Sequence, residues 1–293
     1  MTERLHPLSM LIFFLFTIIL PAFTGNPYFY ILSIIIGLIM LFNTLPLSNV
    51  LKSIPGYLLL FVLISCFNPL FYHDGDTILF YLNGKRVTLE ALAYGMNSAL
   101  MVIGVLIWCR IFTHFYTSDK IMYLFGTFSP KTAIIISMVL RLVPLYREHI
   151  GTYRNTQKLL GIFGEGTLFE KIRAEFKIFG GFLTWLLEHS MTTSDSMTAR
   201  GYGVAKRKAY KLFTFKLSDA LICCITAVAS GYIIYAIITG AFSTVFYPSL
   251  ILPTFSVKSI VAFLLFGIVS VTPTVRDIIY RLICRTTTAP KKP

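Results

Sequence analysis

The sequence predicts an all-α polytopic membrane protein with about six transmembrane helices and a cytoplasmic domain of long amphipathic helices. Three observations predict it. Of 293 residues, 56% are hydrophobic and 13% charged, more apolar surface than one soluble core can hide. That surface comes in six long runs, and the net charge of +13 gathers in the stretches between alternate runs.

The runs cover residues 8–24, 28–47, 54–72, 91–108, 217–239 and 257–273. At about 1.5 Å per helical residue, ~17 to 23 residues reach roughly 25 to 35 Å, enough for a hydrocarbon core of about 30 Å. The first run follows Arg4 and resembles the apolar core of a secretion signal. No small-x-small cleavage pattern precedes Asn26, so it reads as a retained helix.

Charge sets the expected orientation. Arg4 precedes the first run, Lys52 lies between the second and third, and fifteen Lys/Arg fall within residues 114–216. The tail adds Arg276, Arg281, Arg285, Lys291 and Lys292. The opposite connections 25–27 and 242–256 carry no charge, and 73–88 balances Asp74 and Asp76 against Lys85 and Arg86. By the positive-inside rule both termini and the 114–216 segment are cytoplasmic, and the basic balance reflects topology rather than nucleic-acid binding. The expected organisation is four membrane helices in 1–113, a coupling-helix domain in 114–216, further membrane helices in 217–285 and a basic tail in 286–293. Cys66, Cys109, Cys223, Cys224 and Cys284 contain no C-x-x-C pair, so neither disulfides nor a cysteine-held metal are expected.

The connection 68–88 holds Pro69, Gly75, Asn83 and Gly84 around the apolar run 78–82, which reads as an interfacial hairpin or a re-entrant piece. His73-Asp74-Gly75-Asp76 reads as a solvated turn rather than a metal site. His6, His114, His149 and His189 lack metalloenzyme spacing, and neither a P-loop nor G-x-S-x-G occurs. The chain is expected to bind no cofactor and to draw any energy from elsewhere.

Helical period and polarity coexist in the middle segment. Residues 134–160 begin apolar, contain Arg141 and an expected kink at Pro144, then place Arg147, Arg154 and Lys158 on one face. Gly161, Gly164 and Gly166 are expected to end this helix, and 168–174 to open a second element. Over 176–200 a stripe of Phe179, Phe182/Leu183, Leu186/Leu187, Ser190/Met191, Ser194 and Met197 opposes Thr184, Glu188, Thr192 and Asp195. Gly201 is the expected left-handed stop, and Lys206, Arg207, Lys208 and Lys211 suit an anionic membrane surface.

Two arginines carry the functional question. Arg200 has a local explanation, a cation offsetting the dipole of the last turn. Its place on an amphipathic helix beside the small Ala199 also suits a partner carboxylate engaged by the planar guanidinium. Arg141 within Val139-Leu140-Arg141-Leu142-Val143-Pro144 reads either as a snorkelling interfacial residue or as an ion-pair partner of Asp195 or Glu188, architectural in both cases.

Asn68-Pro69-Leu70-Phe71 with His73, Gly75 and Thr77, then Thr88-Leu89-Glu90-Ala91-Leu92 and Tyr94-Gly95, form one block. Leu140-Arg141-Leu142-Val143-Pro144-Leu145 forms a second and Met197-Thr198-Ala199-Arg200-Gly201-Tyr202-Gly203 a third. In this order and topology they resemble the transmembrane T component of energy-coupling factor transporters, modular importers of vitamins and transition-metal ions. The resemblance implies a non-catalytic scaffold. Such a component holds two ATPase subunits, which bind ATP and Mg, through arginine-bearing helix tips, and holds a small membrane-embedded substrate-binding S component. Ala199, Arg200 and Gly201 would form one ATPase contact. At the other tip the family's Ala-Arg-Gly/Ser is replaced by Gln157-Lys158-Leu159-Leu160-Gly161, so Lys158 or Arg154 would supply the cation and the two contacts would be unequal.

Mechanical coupling in an ATP-driven importer is therefore the leading reading, with the apolar faces of the coupling helices turned to partner and membrane. A self-contained secondary transporter or channel would place charges or broken helices at mid-membrane in paired repeats. An integral-membrane enzyme would need a convergent catalytic cluster. The spans show neither pattern.

Overall fold

The computed structural model describes residues 6–72, 75–82, 85–161, 168–204, 213, 215–242, 244, 246 and 256–287. Arg4, His73, Asp74, Asn83, Gly84, Gly164, Gly166, Lys206, Arg207, Lys208, Lys211, Lys291 and Lys292 lie outside the described residues, as do the side chains of Arg276, Arg281, Cys284 and Arg285. The element order is α1 (Pro7–Thr24), α2 (Pro27–Thr44), α3 (Leu47–Leu51), α4 (Ile54–Phe71), β1 (Ile78–Leu82), β2 (Lys85–Thr88), α5 (Leu89–Phe115), α6 (Ser118–Phe128), α7 (Pro130–Leu159), α8 (Leu168–Ala199), α9 (Leu217–Ile238) and α10 (Val257–Thr287). The chain divides into two compact units, Met1–Thr117 with Phe213–Pro293, and Ser118–Leu212.

The first unit is an apolar helical bundle, and the chain is an all-α polytopic membrane protein. Among the described residues, Pro7–Thr24, Pro27–Thr44, Leu47–Phe71, Leu89–Phe115 and Leu217–Ile238 are long and apolar enough to cross a membrane. The sixth expected run, Val257–Pro273, is a shorter apolar stretch that forms the start of the longer α10. Proline begins the helical turns of α1 and α2, and the Asn26 side chain caps α2 by accepting the Tyr28 N–H at 3.0 Å.

Aromatic side chains fill the bundle. Phe13, Phe14, Phe29, Trp108, Ile233 and Phe266 are buried, with the Phe29 and Phe266 rings 4.7 Å apart. Trp108 of α5 donates its indole N–H to Ser33 Oγ of α2 at 3.0 Å, which satisfies both groups without water. Leu15, Ile31, Ile35, Leu58, Leu59 and Val62 are instead exposed. An apolar exterior over an aromatic interior is stable where lipid is the solvent, since every backbone group is satisfied within its own helix.

The connection after α4 is a hairpin. β1 pairs antiparallel with β2 from Ile78↔Thr88 to Leu82↔Lys85, with an irregularity between Ile78 and Phe80. Asn68 and Pro69 lie in the last turn of α4, ahead of this connection. Glu90, at the start of α5 and 3% exposed, ties it down by accepting the Thr77 N–H at 3.2 Å and the Thr77 hydroxyl at 2.7 Å.

The second unit contains α6, α7 and α8. Residues 118–128 form a helix that sequence pattern did not single out, packed on α7 where Gly126 faces Ala133. α7 starts earlier than expected, at Pro130, and is helical on both sides of Pro144. α8 is one helix of 32 residues, so the element expected at 168–174 is its first two turns.

Aromatic contacts join α7 to α8. The Trp185 ring stacks with His149, 3.9 Å away, and with His189 of its own helix, 5.2 Å away, with Tyr146 edge-on at 6.0 Å. Gly181 lies against Tyr153, whose Cζ is 2.8 Å from the place a Cβ would occupy. Burial on α8 follows Ala174, Ile178 and Phe182, while Phe176, Phe179, Leu183, Leu187 and Met191 are exposed. The expected single stripe is thus two adjacent apolar faces, one covered and one exposed.

Candidate functional site

α8 ends in a way its last residues dictate. Gly201 has φ +75°, its N–H bonds to the Thr198 carbonyl at 2.9 Å, and the Tyr202 N–H bonds to the Met197 carbonyl at 3.0 Å. This Schellman arrangement satisfies carbonyls that a helix end otherwise orphans, and a residue bearing Cβ would be strained at that φ. It leaves Ala199 and Arg200 exposed at the tip. Asp195 is also exposed, one turn earlier on α8.

α7 ends similarly, with Gly161 at φ +74° and its N–H on the Lys158 carbonyl at 3.1 Å. The tip differs in chemistry, because Leu159 is 89% and Leu160 68% exposed. Lys158 is exposed in the last turn. Arg154 is ion-paired with Glu175 of α8, the one ion pair found among the described residues. Its guanidinium is already engaged within the unit.

Arg141 has no ion pair with Glu188 or Asp195. It lies about three turns into α7, three residues before Pro144. There it lines a cleft of about 520 Å³ between α7 and α8. On the polar side of this cleft Arg141 is joined by His189, Thr192, Thr193, Ser196 and Arg200. Met138, Leu142, Leu145 and Met197 form the apolar side.

Of the residues singled out from sequence, the structure thus brings Arg141 and Arg200 into one cleft and sets Lys158 and Gly161 at another helix end. It holds Asn68 and Pro69 in the other unit, where a Cβ on Gly95 would lie 2.9 Å from Asn68 Cβ. Sequence reasoning missed Glu175 and His189. Glu175 pairs with Arg154 of α7 and His189 lines the cleft shared with α7, placements that spacing within one helix does not signal.

No protein-family model matches the chain. It is 24% identical over 181 residues to the energy-coupling factor transporter transmembrane protein EcfT 1 of Listeria monocytogenes, covering 58% of this chain and 67% of that protein. It is also 24% identical over 246 residues to the energy-coupling factor transporter transmembrane protein EcfT of Streptococcus thermophilus, covering 80% of this chain and 92% of that protein. With similarity over most of its length and an all-helical, membrane-crossing fold, the chain is EcfT-like, similar to the transmembrane proteins of energy-coupling factor transporters.

Proposed function

We propose that the chain is the scaffold and mechanical coupler of an ATP-driven importer of vitamins or transition-metal ions. It links two ATPase subunits to a small membrane-embedded S component that carries substrate recognition. The chain itself is non-catalytic and binds no cofactor, with ATP and Mg held by the ATPases. The positive-inside pattern supports cytoplasmic termini and a cytoplasmic 114–216 segment.

One observation carries this reading: Arg200 stands exposed on a rigid helix tip, with the small Ala199 before it and the left-handed Gly201 after it. A guanidinium so placed engages a partner carboxylate in two parallel hydrogen bonds. The exposed Leu159 and Leu160 at the α7 tip support a second, less electrostatic contact, so the two ATPase sites are unequal. The exposed face of Phe176, Phe179, Leu183, Leu187 and Met191 is suited to a membrane-embedded partner. Closure of the ATPases would move the two tips, and the long helices would pass that motion on as rigid bodies.

The test is purification of the tagged full chain from its native host in mild detergent, followed by reconstitution in liposomes. The coupler reading expects ATPase subunits and a small membrane protein to accompany the chain, and transport only when they are present with ATP. Ion-gradient transport by the chain alone would overturn it in favour of a self-contained transporter.

A further inference from the structure

Arg141 and Arg200 come from different helices, yet both line the cleft between α7 and α8. No carboxylate lines it among the described residues. Two like charges facing one cleft repel, and the arrangement gains energy when an anion sits between them. Arg154 differs, since Glu175 already neutralises it.

The walls restrict the anion. The hydroxyls of Thr192 and Thr193 bond to carbonyls of their own helix at 2.7 to 3.1 Å, leaving the two guanidiniums, with His189 and Ser196, as the groups that can donate into the cleft. Met138, Leu142, Leu145 and Met197 make the rest apolar. At about 520 Å³ the space exceeds one carboxylate and admits an acidic side chain with apolar neighbours. Both helices contribute, so an occupant bound there is sensitive to how α7 and α8 are arranged.

We infer that Arg141 is a second cation of the partner contact, and that with Arg200 it grips an acidic and apolar segment of an ATPase subunit seated in the α7–α8 cleft. This rests on the reading of Arg200 as the ATPase contact. It replaces the architectural role that sequence alone suggests for Arg141, and it makes the contact span two helices rather than one tip.

The test measures ATPase-subunit binding to the full chain in nanodiscs, for wild type, Arg141→Gln, Arg200→Gln and the double variant. Discs are of phosphatidylcholine alone and with phosphatidylglycerol. Each single variant is expected to raise Kd about tenfold, and the double variant by much less than the product, because both residues hold the same acidic group. Arg141→Lys, which retains the charge and guards against a folding defect, is expected to fall between wild type and Arg141→Gln. Wild-type binding by Arg141→Gln with weakened binding by Arg200→Gln would overturn this inference and leave the coupler reading standing. Wild-type binding by Arg200→Gln would overturn both. An Arg141→Gln defect confined to discs with phosphatidylglycerol would assign the cleft to a lipid headgroup and overturn the protein occupant.

Discussion

Arg154 of α7 is ion-paired with Glu175 of α8, across the same pair of helices that carries Arg200 at one end. The side chains are 48% and 43% exposed, so solvent screens the pair and it contributes about 0.2 to 1 kcal/mol. Arg154→Glu sets two acids against each other. It should lower the stability of the helix pair by no more than about 1 kcal/mol. ATPase association should fall less than for Arg200→Glu, as measured by retention of ATPase subunits on the immobilised chain.

Gly95 marks a close approach of α4 and α5. A Cβ there would lie 2.8 Å from the Ser65 carbonyl oxygen and 2.9 Å from Asn68 Cβ. Helix backbone cannot swing aside as a side chain does, so Gly95→Val should destabilise the bundle by about 1 to 3 kcal/mol. Gly56, with nothing within 4 Å of its Cβ position, is the control. Thermal unfolding in detergent should show a lower midpoint for Gly95→Val and none of that loss for Gly56→Ala.

His6 caps α1 with Nδ1 accepting the Leu8 N–H at 3.3 Å, and its ring meets Phe215 edge-on at 5.1 Å. Burial holds its pKa below the usual imidazole range, against the opposing pull of Asp219. The unfolded chain therefore binds this proton first as pH falls. The stability His6 provides is present above the ordinary imidazole pKa of about 6.5 and is lost as pH drops through the folded value. Melting temperature should fall between pH 7.5 and 5, and His6→Asn, which keeps a capping acceptor, should flatten that slope.

Trp185 makes ring contacts with His149 and Tyr146 of α7 and with His189 and Phe182 of its own helix. Trp185→Ala removes every one of these contacts. For a half-buried tryptophan the cost should be about 2 kcal/mol, below that of a fully buried one. Hydrogen exchange across α7 and α8 should accelerate while that of α1 and α5 is unchanged.

Much of this architecture is legible in sequence because it is local. Run length and hydropathy mark the membrane-crossing helices, and Gly201 marks the end of α8 through its own φ. The rest depends on pairing. Apolar residues occupy two neighbouring faces of α8, so periodicity alone gave one stripe and merged Phe182 with Leu183, one of which is buried and the other exposed. The helix expected to run through Pro144 does so, from Pro130 to Leu159. Arg141 reads as architectural because the polar groups that share its cleft, His189, Thr192, Thr193, Ser196 and Arg200, come from the α8 end of the unit rather than from its own helix. Glu175 was silent for the same reason.

The most direct test of the coupler account is the affinity of the ATPase subunits for the full chain in nanodiscs, compared between wild type and Arg200→Glu. Charge reversal at a desolvated contact should cost about 2 to 5 kcal/mol, a loss of at least about thirtyfold, with membrane insertion unchanged. Equal affinity for the two proteins would contradict the account, because the arginine tip would then carry none of the coupling contact.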